Sequence, residues 1–337
     1  MPLPKSLPDI RSFFDTFDWD RLAAEVNAEA RARIAIVGPV NSGKSTLFNL
    51  LKGKTISPVA AVPGTTRQLV LETMGPFSLV DTPGFGDAVV AGGTDLAKIA
   101  WDAVDTVDFV VLLLDASAGV RQGDLDLYWR IRERNVPVLV ALNKIDLIRR
   151  DLRAVLGDLQ IKLSGVAVVP LSARTGEGVA DKIIPAIIES HPGLAVTIGR
   201  ALPAFRDQAA RRLTRDAVIW SGLWAAFPLP GVDVTALSVL QMRLVLRLAA
   251  LYGESMTARH AGELLTTIAG GLVARYIGQE LAKLVPGFGS LVAALVAANS
   301  TWHIGNIAAA YFEGGRKFSP AQMQQMYKRW FEWKKPR

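Results

Sequence analysis

The run GPVNSGKS, Gly38 to Ser45, carries the most specific chemistry in this chain of 337 residues. It fits the spacing G-x-x-x-x-G-K-[ST], follows the apolar run RIAIV and opens into STLFNLL. Gly38 and Gly43 allow a loop to turn its amides inward around phosphate oxygens. Lys44 can reach the β- and γ-oxygens, the Ser45 hydroxyl can ligate Mg²⁺, and the start of the following helix favours negative charge. Asn41, Ser42 and Thr46 fall in or beside the same run and complete the candidate phosphate-contacting set.

Such a loop needs a strand and a helix to hold it. From about residue 33 to 190, short β-branched apolar runs alternate with helical stretches, the pattern of βαβ units around a largely parallel sheet. RIAIVG, FSLVD, DFVVLLLDA, VPVLVALN and VAVVPLSA read as strands. RQLVLETM, separated from FSLVD by a Gly-Pro turn, reads as an antiparallel edge strand, which makes the sheet six-stranded and the class α/β. DWDRLAAEVNAEARAR reads as a polar-faced helix within an N-terminal extension, residues 1 to 30, ahead of a domain at 31 to 190. HPGLAVTIGR is the expected connector. From 200 to 337 the chain becomes all-helical, with helices expected over about 203–227, 235–252, 258–284, 288–313 and 319–333. LPGVDVTALSVL at 229–240 and VPGFGSLVAALV at 285–296 form a weak internal repeat, each a Pro-Gly break before an apolar helix.

Further motifs follow the phosphate loop in order: PGTTR at 63–67, DTPG at 81–84, NKID at 143–146 and SAR at 172–174. Together they resemble the effector, Mg²⁺-sensing, guanine-reading and fifth motifs of the Era/TrmE branch of P-loop GTPases, over roughly the first 190 residues. The resemblance implies GTP/GDP and Mg²⁺ as ligands. It also implies that Thr66, with Thr65 the alternative, and Ser45 coordinate Mg²⁺, that Asp81 holds the ion through water, and that the Gly84 amide senses the γ-phosphate. Lys44, Thr66, Gly84 and Asn41 are thereby the candidate catalytic groups. Asn143 would bridge its loop to the phosphate loop, Lys144 would lie over the base, and the backbone at Ser172 and Ala173 would meet guanine O6. Asp146 has an argument of its own: a carboxylate pairs with the N1–H and exocyclic amine of guanine, a donor pair that adenine does not present, so ATP should be rejected.

Phe85 stands directly after DTPG, where many GTPases keep a glutamine that orients the attacking water. In several members of the resembled branch a K⁺ ion supplies the missing positive charge, and the position of its asparagine ligand matches Asn41. The other reading of Asn41 is a polar residue tying the loop to the switch. Gln68, where the branch often has Asp, departs from the pattern, and Asp87 is a weak candidate for positioning the water.

The formal charge of +7 is uneven. Residues 200–337 hold 17 Lys/Arg against 8 Asp/Glu, a balance of +9, and residues 1–199 balance to −2. That basic half suits an anionic partner, either lipid headgroups or nucleic acid. It resembles the uncharacterised helical domain fused to Era-like GTPases and found in YcjF-type membrane proteins, a likeness carried by FPLPGVDV and QMRLVLRLAALYG. The stretch between Lys283 and Glu313 has no charged residue, yet Pro286, Gly287 and Gly289 break its start and Asn299, Ser300, Thr301, His303 and Asn306 interrupt it. Buried bundle core and membrane contact both remain open for it. The end, SPAQMQQMYKRWFEWKKPR, mixes aromatics with basic residues, which suits either a membrane interface or docking on the bundle. His260 and His303 have no companions at metal-ligand spacing.

The absence of cysteine fits a reducing compartment, and the N-terminus lacks the continuous apolar run of an export signal. A cytoplasmic protein, acting at the inner face of the cell membrane, is expected. The sequence therefore points to a GTP-hydrolysing switch controlling a helical effector domain. Its rivals are a ribosome- or RNA-assembly GTPase and an oligomerising membrane-remodelling GTPase, and a nucleotide-dependent dimer through the GTPase domain is a further expected association.

Overall fold

The computed structural model describes residues 17–51, 72–74, 76–80, 95–226, 233–254, 256–269, 289–315, 322 and 325. Two compact units emerge, one formed by Arg31–Leu194 and the other by Met1–Ala30 together with Ala195–Arg337.

In the first unit, β1 (Ile34–Val37), β2 (Glu72–Met74), β3 (Phe77–Leu79), β4 (Phe109–Asp115), β5 (Val138–Asn143) and β6 (Val168–Pro170) form one sheet in the order β2-β3-β1-β4-β5-β6. Five strands run parallel, and β2 joins β3 antiparallel at the edge, as the Gly-Pro turn predicts. The apolar runs IAIV and FVVLLL are buried along their whole length because both sheet faces are covered. Ala35, Val37, Val110, Leu112, Leu114, Val140 and Leu142 line one face, which packs with residues of α3 (Asp95–Asp105), α4 (Gln122–Glu133) and α5 (Leu152–Lys162). The chain runs from β1 outward to β2 and β3 on one side and then crosses to β4 on the other. Loops leaving the C-terminal ends of β1, β4 and β5 therefore converge at a switch point, the usual seat of a ligand in such sheets. Register places Asp115 beside Asn143 at the ends of β4 and β5.

The second unit is helical. It contains α1 (Trp19–Glu29), α7 (Leu194–Ala201, which begins at the unit boundary), α8 (Arg206–Ala226), α9 (Asp233–Leu251), α10 (Ala258–Ala269) and α11 (Gly289–Glu313). Asp18 caps α1 by accepting from the Arg21 amide at 2.9 Å, and Leu22 and Val26 are buried. The leading helix expected as an extension of its own thus groups with the C-terminal helices. Glu29 fixes it there, accepting from Arg243 Nη2 at 2.7 Å and from Arg247 Nε and Nη2 at 2.6 and 2.8 Å.

The unit boundary falls within the expected connector HPGLAVTIGR, whose LAVTIGR portion is helical in α7, with Leu194, Ala195, Val196 and Ile198 fully buried. Close packing is why it is not a loop, since a Cβ on Gly199 would lie 2.9 Å from Leu251 Cγ. Thr197 donates to the Ala30 carbonyl at 3.3 Å.

The uncharged stretch in α11 is largely core. Ala297, Ser300, Thr301, His303, Ile304, Ile307, Ala308 and Phe312 are buried, and Gln241 of α9 donates to Ser300 Oγ and Thr301 Oγ1. No described helix is long and apolar enough to cross a membrane. The expected helices over 258–284 and 319–333 lie largely outside the described residues.

Candidate functional site

The loop between β1 and α2 (Lys44–Leu51) is shaped by contacts that exclude side chains at its glycines. A Cβ on Gly38 would lie 2.2 Å from the Leu113 carbonyl oxygen, and one on Gly43, where φ is +94°, would lie 2.2 Å from Asn143 Nδ2. Asn41 also takes a left-handed φ of 66°, a conformation asparagine tolerates better than most residues. Lys44 is buried, its Nζ donating to the Gly38 and Pro39 carbonyls at 2.9 and 3.0 Å, so its ammonium is folded inside the loop. Asn41, Ser45 and Thr46 are exposed and Ser42 is buried. A glycine cradle that no Cβ could enter, a lysine inside it and a helix beginning at that lysine fit a nucleotide's phosphates.

The other end of the site is held by one side chain. Asn143, at the end of β5, donates from Nδ2 to the Ser42 carbonyl at 2.7 Å and accepts on Oδ1 from the Ala173 amide at 2.8 Å. It is buried and ties the phosphate loop, the NKID turn and the SAR loop together. Asp146 accepts on Oδ1 from Ser172 Oγ at 2.7 Å and on Oδ2 from Arg174 Nε at 3.1 Å. The Ser172 hydroxyl, then the Arg174 guanidinium, hold its carboxyl below the ordinary value against the opposing effect of desolvation. The Ser172 hydroxyl also accepts from the Thr175 amide at 3.2 Å, so one serine organises both carboxylate and turn.

Lys144 has a left-handed φ of 65° and its Nζ pairs with Asp115 Oδ2. Burial pushes the Asp115 carboxyl upward, but the hydrogen bonds from Lys144 and Ser117 outweigh it and the net shift is downward. Asp115 and Arg174 are site residues that sequence reasoning missed. A lone carboxylate ending the apolar strand FVVLLLD was the available signal for the first, and the third position of SAR for the second.

Thr65, Thr66, Gln68, Asp81, Gly84, Phe85 and Asp87 lie outside the described residues. Among the described residues no group of three or more His, Cys, Asp or Glu could hold a metal. His260 instead lies in the first turn of α10, its amide donating at 3.3 Å to the Oγ1 of Thr257, the residue that caps the helix.

Residues 33–144 match the family described as 50S ribosome-binding GTPase, and residues 194–336 match a domain of unknown function (DUF697). Along its length the chain is thus similar first to a P-loop GTPase domain and then to a DUF697 domain. Similar proteins include GTPase Der of Treponema pallidum subsp. pallidum, 34% identical over 168 residues, covering 45% of this chain and 36% of the relative. GTPase Era of Ruminiclostridium cellulolyticum is 27% identical over 164 residues, with 47% and 55% covered. The tRNA modification GTPase MnmE of Herminiimonas arsenicoxydans is 40% identical over 122 residues, with 34% and 26% covered. The chain thus spans between a quarter and just over half the length of these relatives. The resemblance of the G domain to Era/TrmE-type GTPases holds, and GTP hydrolysis is the enzymatic class of that family.

Proposed function

We propose that this protein is a GTP-hydrolysing molecular switch whose G domain controls the helical unit at the cytoplasmic face of a membrane. The observation that carries the GTPase part is the Asn143 bridge, which assembles the phosphate loop and the base-reading turn into one site. Lys44, with the amides of the loop, binds the phosphates and offsets charge on the β–γ bridging oxygen as water attacks the γ-phosphorus and that bond breaks. Asp146 selects guanine, with Asn143, Lys144, Ser172 and Ala173 shaping its pocket. Mg²⁺ would be held by Ser45, Thr66 and Asp81 and would neutralise the β- and γ-oxygens, with Gly84 sensing the γ-phosphate. Asn41 is the side-chain ligand proposed for K⁺, and a nucleotide-dependent dimer through the G domain is the association proposed with it.

The membrane part is supported by the +9 balance of residues 200–337 and by the aromatic-basic C-terminal run. The same charge would serve an RNA-assembly GTPase, and relatives bear names such as tRNA modification GTPase, so the partner must be tested directly.

The test is competition for the site by GTP and ATP with Mg²⁺, alongside phosphate release and co-sedimentation with anionic vesicles or RNA. Preference for GTP, loss of binding and turnover in Lys44→Ala, and vesicle binding are expected. Equal affinity for ATP would refute the base-reading role of Asp146, and retention by RNA alone would move the protein to the RNA reading.

A further inference from the structure

Helix α8 changes character along its length. Ala209, Ala210, Leu213 and Thr214 are buried in its first half, whereas Ile219, Trp220, Leu223 and Trp224 are 51%, 57%, 48% and 45% exposed near its end. A Cβ on Gly305 would lie 2.5 Å from Thr214 Cγ2, and one on Gly222 would lie 3.6 Å from Ala298 Cβ, so α11 runs antiparallel beside α8. That pairing sets Leu295, 63% exposed, and Trp302, 40% exposed, level with the C-terminal half of α8. Among the described residues of the helical unit, these six are all the large apolar side chains that are strongly exposed. Scattered exposure is normal, but its confinement to one end of one helix pair marks an interaction surface.

The exposed charged residues nearest to it on α8 are arginines. Exposed Arg211 and Arg215 continue at four-residue intervals into Ile219 and Leu223, forming one stripe on α8. Arg215 lies about 6 Å below Ile219 along the axis. Asp216, the one acid between Asp207 and the end of the helix, is engaged by Arg212 Nε at 3.1 Å. Tryptophans above and arginines one and two turns below match the layering of acyl boundary and headgroup phosphate in a bilayer. The chain's own C-terminal run is basic, as is a second copy of this surface, so both would meet the arginines with like charge.

We propose that this end of the α8–α11 pair is an interfacial docking surface for an anionic bilayer, entering to the acyl boundary without crossing. The proposal rests on the membrane reading above and names the surface that reading lacks.

The chain has no cysteine, so a single introduced thiol can be labelled selectively. Full-length Leu223→Cys and Ile161→Cys, the latter at an 82% exposed position in α5, would each carry an environment-sensitive fluorophore and be mixed with phosphatidylglycerol-containing or pure phosphatidylcholine vesicles. On anionic vesicles the protein floats, the probe at 223 brightens and is quenched by lipid-borne bromine, and the probe at 161 is unchanged. Trp220→Ser with Trp224→Ser lowers vesicle affinity about tenfold or more, and Arg211→Gln with Arg215→Gln lowers it and flattens its salt dependence. A protein that floats with the probe at 223 silent and the tryptophan pair dispensable overturns this surface while leaving membrane binding intact. A protein that never floats overturns both.

Discussion

Asn143 Nδ2 lies 2.7 Å from the carbonyl oxygen of Ser42, a residue 101 positions earlier, and this bond joins the two ends of the nucleotide site. The same amide group receives the Ala173 N–H. Asn143→Ala would leave a buried carbonyl and a buried amide without partners, at about 1–3 kcal/mol each. Urea unfolding should therefore show a loss of roughly 2–6 kcal/mol in the G domain. Guanine-nucleotide affinity should fall with it, because both loops lose their reference point. An unchanged midpoint would mean the bridge is not maintained in solution.

Arg174 would compete with the base that Asp146 is proposed to read. Its guanidinium satisfies the Asp146 oxygen that a guanine donor would use, and its own side chain is 73% exposed. Arg174→Ala should speed the association of a fluorescent guanine nucleotide several-fold, since no ion pair need be broken first. Slower association would show instead that the arginine holds Asp146 in its binding posture.

Acid should weaken the same site within a defined window. The Asp146 carboxyl, through Ser172 first and Arg174 second, and the Asp115 carboxyl, through Lys144 and Ser117 against burial, are both held below 3.8. A depressed carboxylate contributes stability that is present above the unfolded value and is lost as pH falls through the folded one. These two groups therefore leave G-domain stability flat from about pH 5 upward and erode it below about pH 4. Asp146→Asn should remove part of that acid limb in pH-dependent denaturation, and an identical limb in wild type and variant would contradict the assignment.

The potassium proposal has its own discriminating measurement. Asn41 sits exposed in a left-handed turn of the phosphate loop, the position proposed to complete a K⁺ shell. GTP turnover should be faster in K⁺ than in Na⁺ at equal ionic strength, and Asn41→Ala should abolish the difference. Equal rates in both salts would discard it and leave the work at Phe85's position to a group supplied by a partner.

Much of this architecture was readable before any coordinates. β1 and β4 announce themselves as apolar runs ending in Gly or Asp, and the glycine spacing of the phosphate loop has few other uses. α8, α9 and α11 were legible from their apolar period. LAVTIGR was not, because its β-branched residues and preceding Pro-Gly argue locally for a connector, and only burial around Gly199 and Leu251 makes it helical. Asp115 and Arg174 escaped for a related reason. Each is an isolated polar residue whose meaning comes from a partner 29 or 28 positions away, a relationship that no local pattern encodes.

The Glu29 clasp bears on how the chain is made. Its carboxylate lies 214 positions ahead of Arg243 and 218 ahead of Arg247, with the whole GTPase sheet between them. During vectorial synthesis α1 leaves the ribosome ahead of Arg243 and Arg247, and the nucleotide-binding unit can close on itself before those partners are made. The helical unit thus draws its members from both sides of the nucleotide-binding unit in the chain. Any nascent or truncated chain ending before α9 would carry Glu29 without its arginines and leave Leu22 and Val26 without that helix to pack on, an exposed apolar face that invites aggregation.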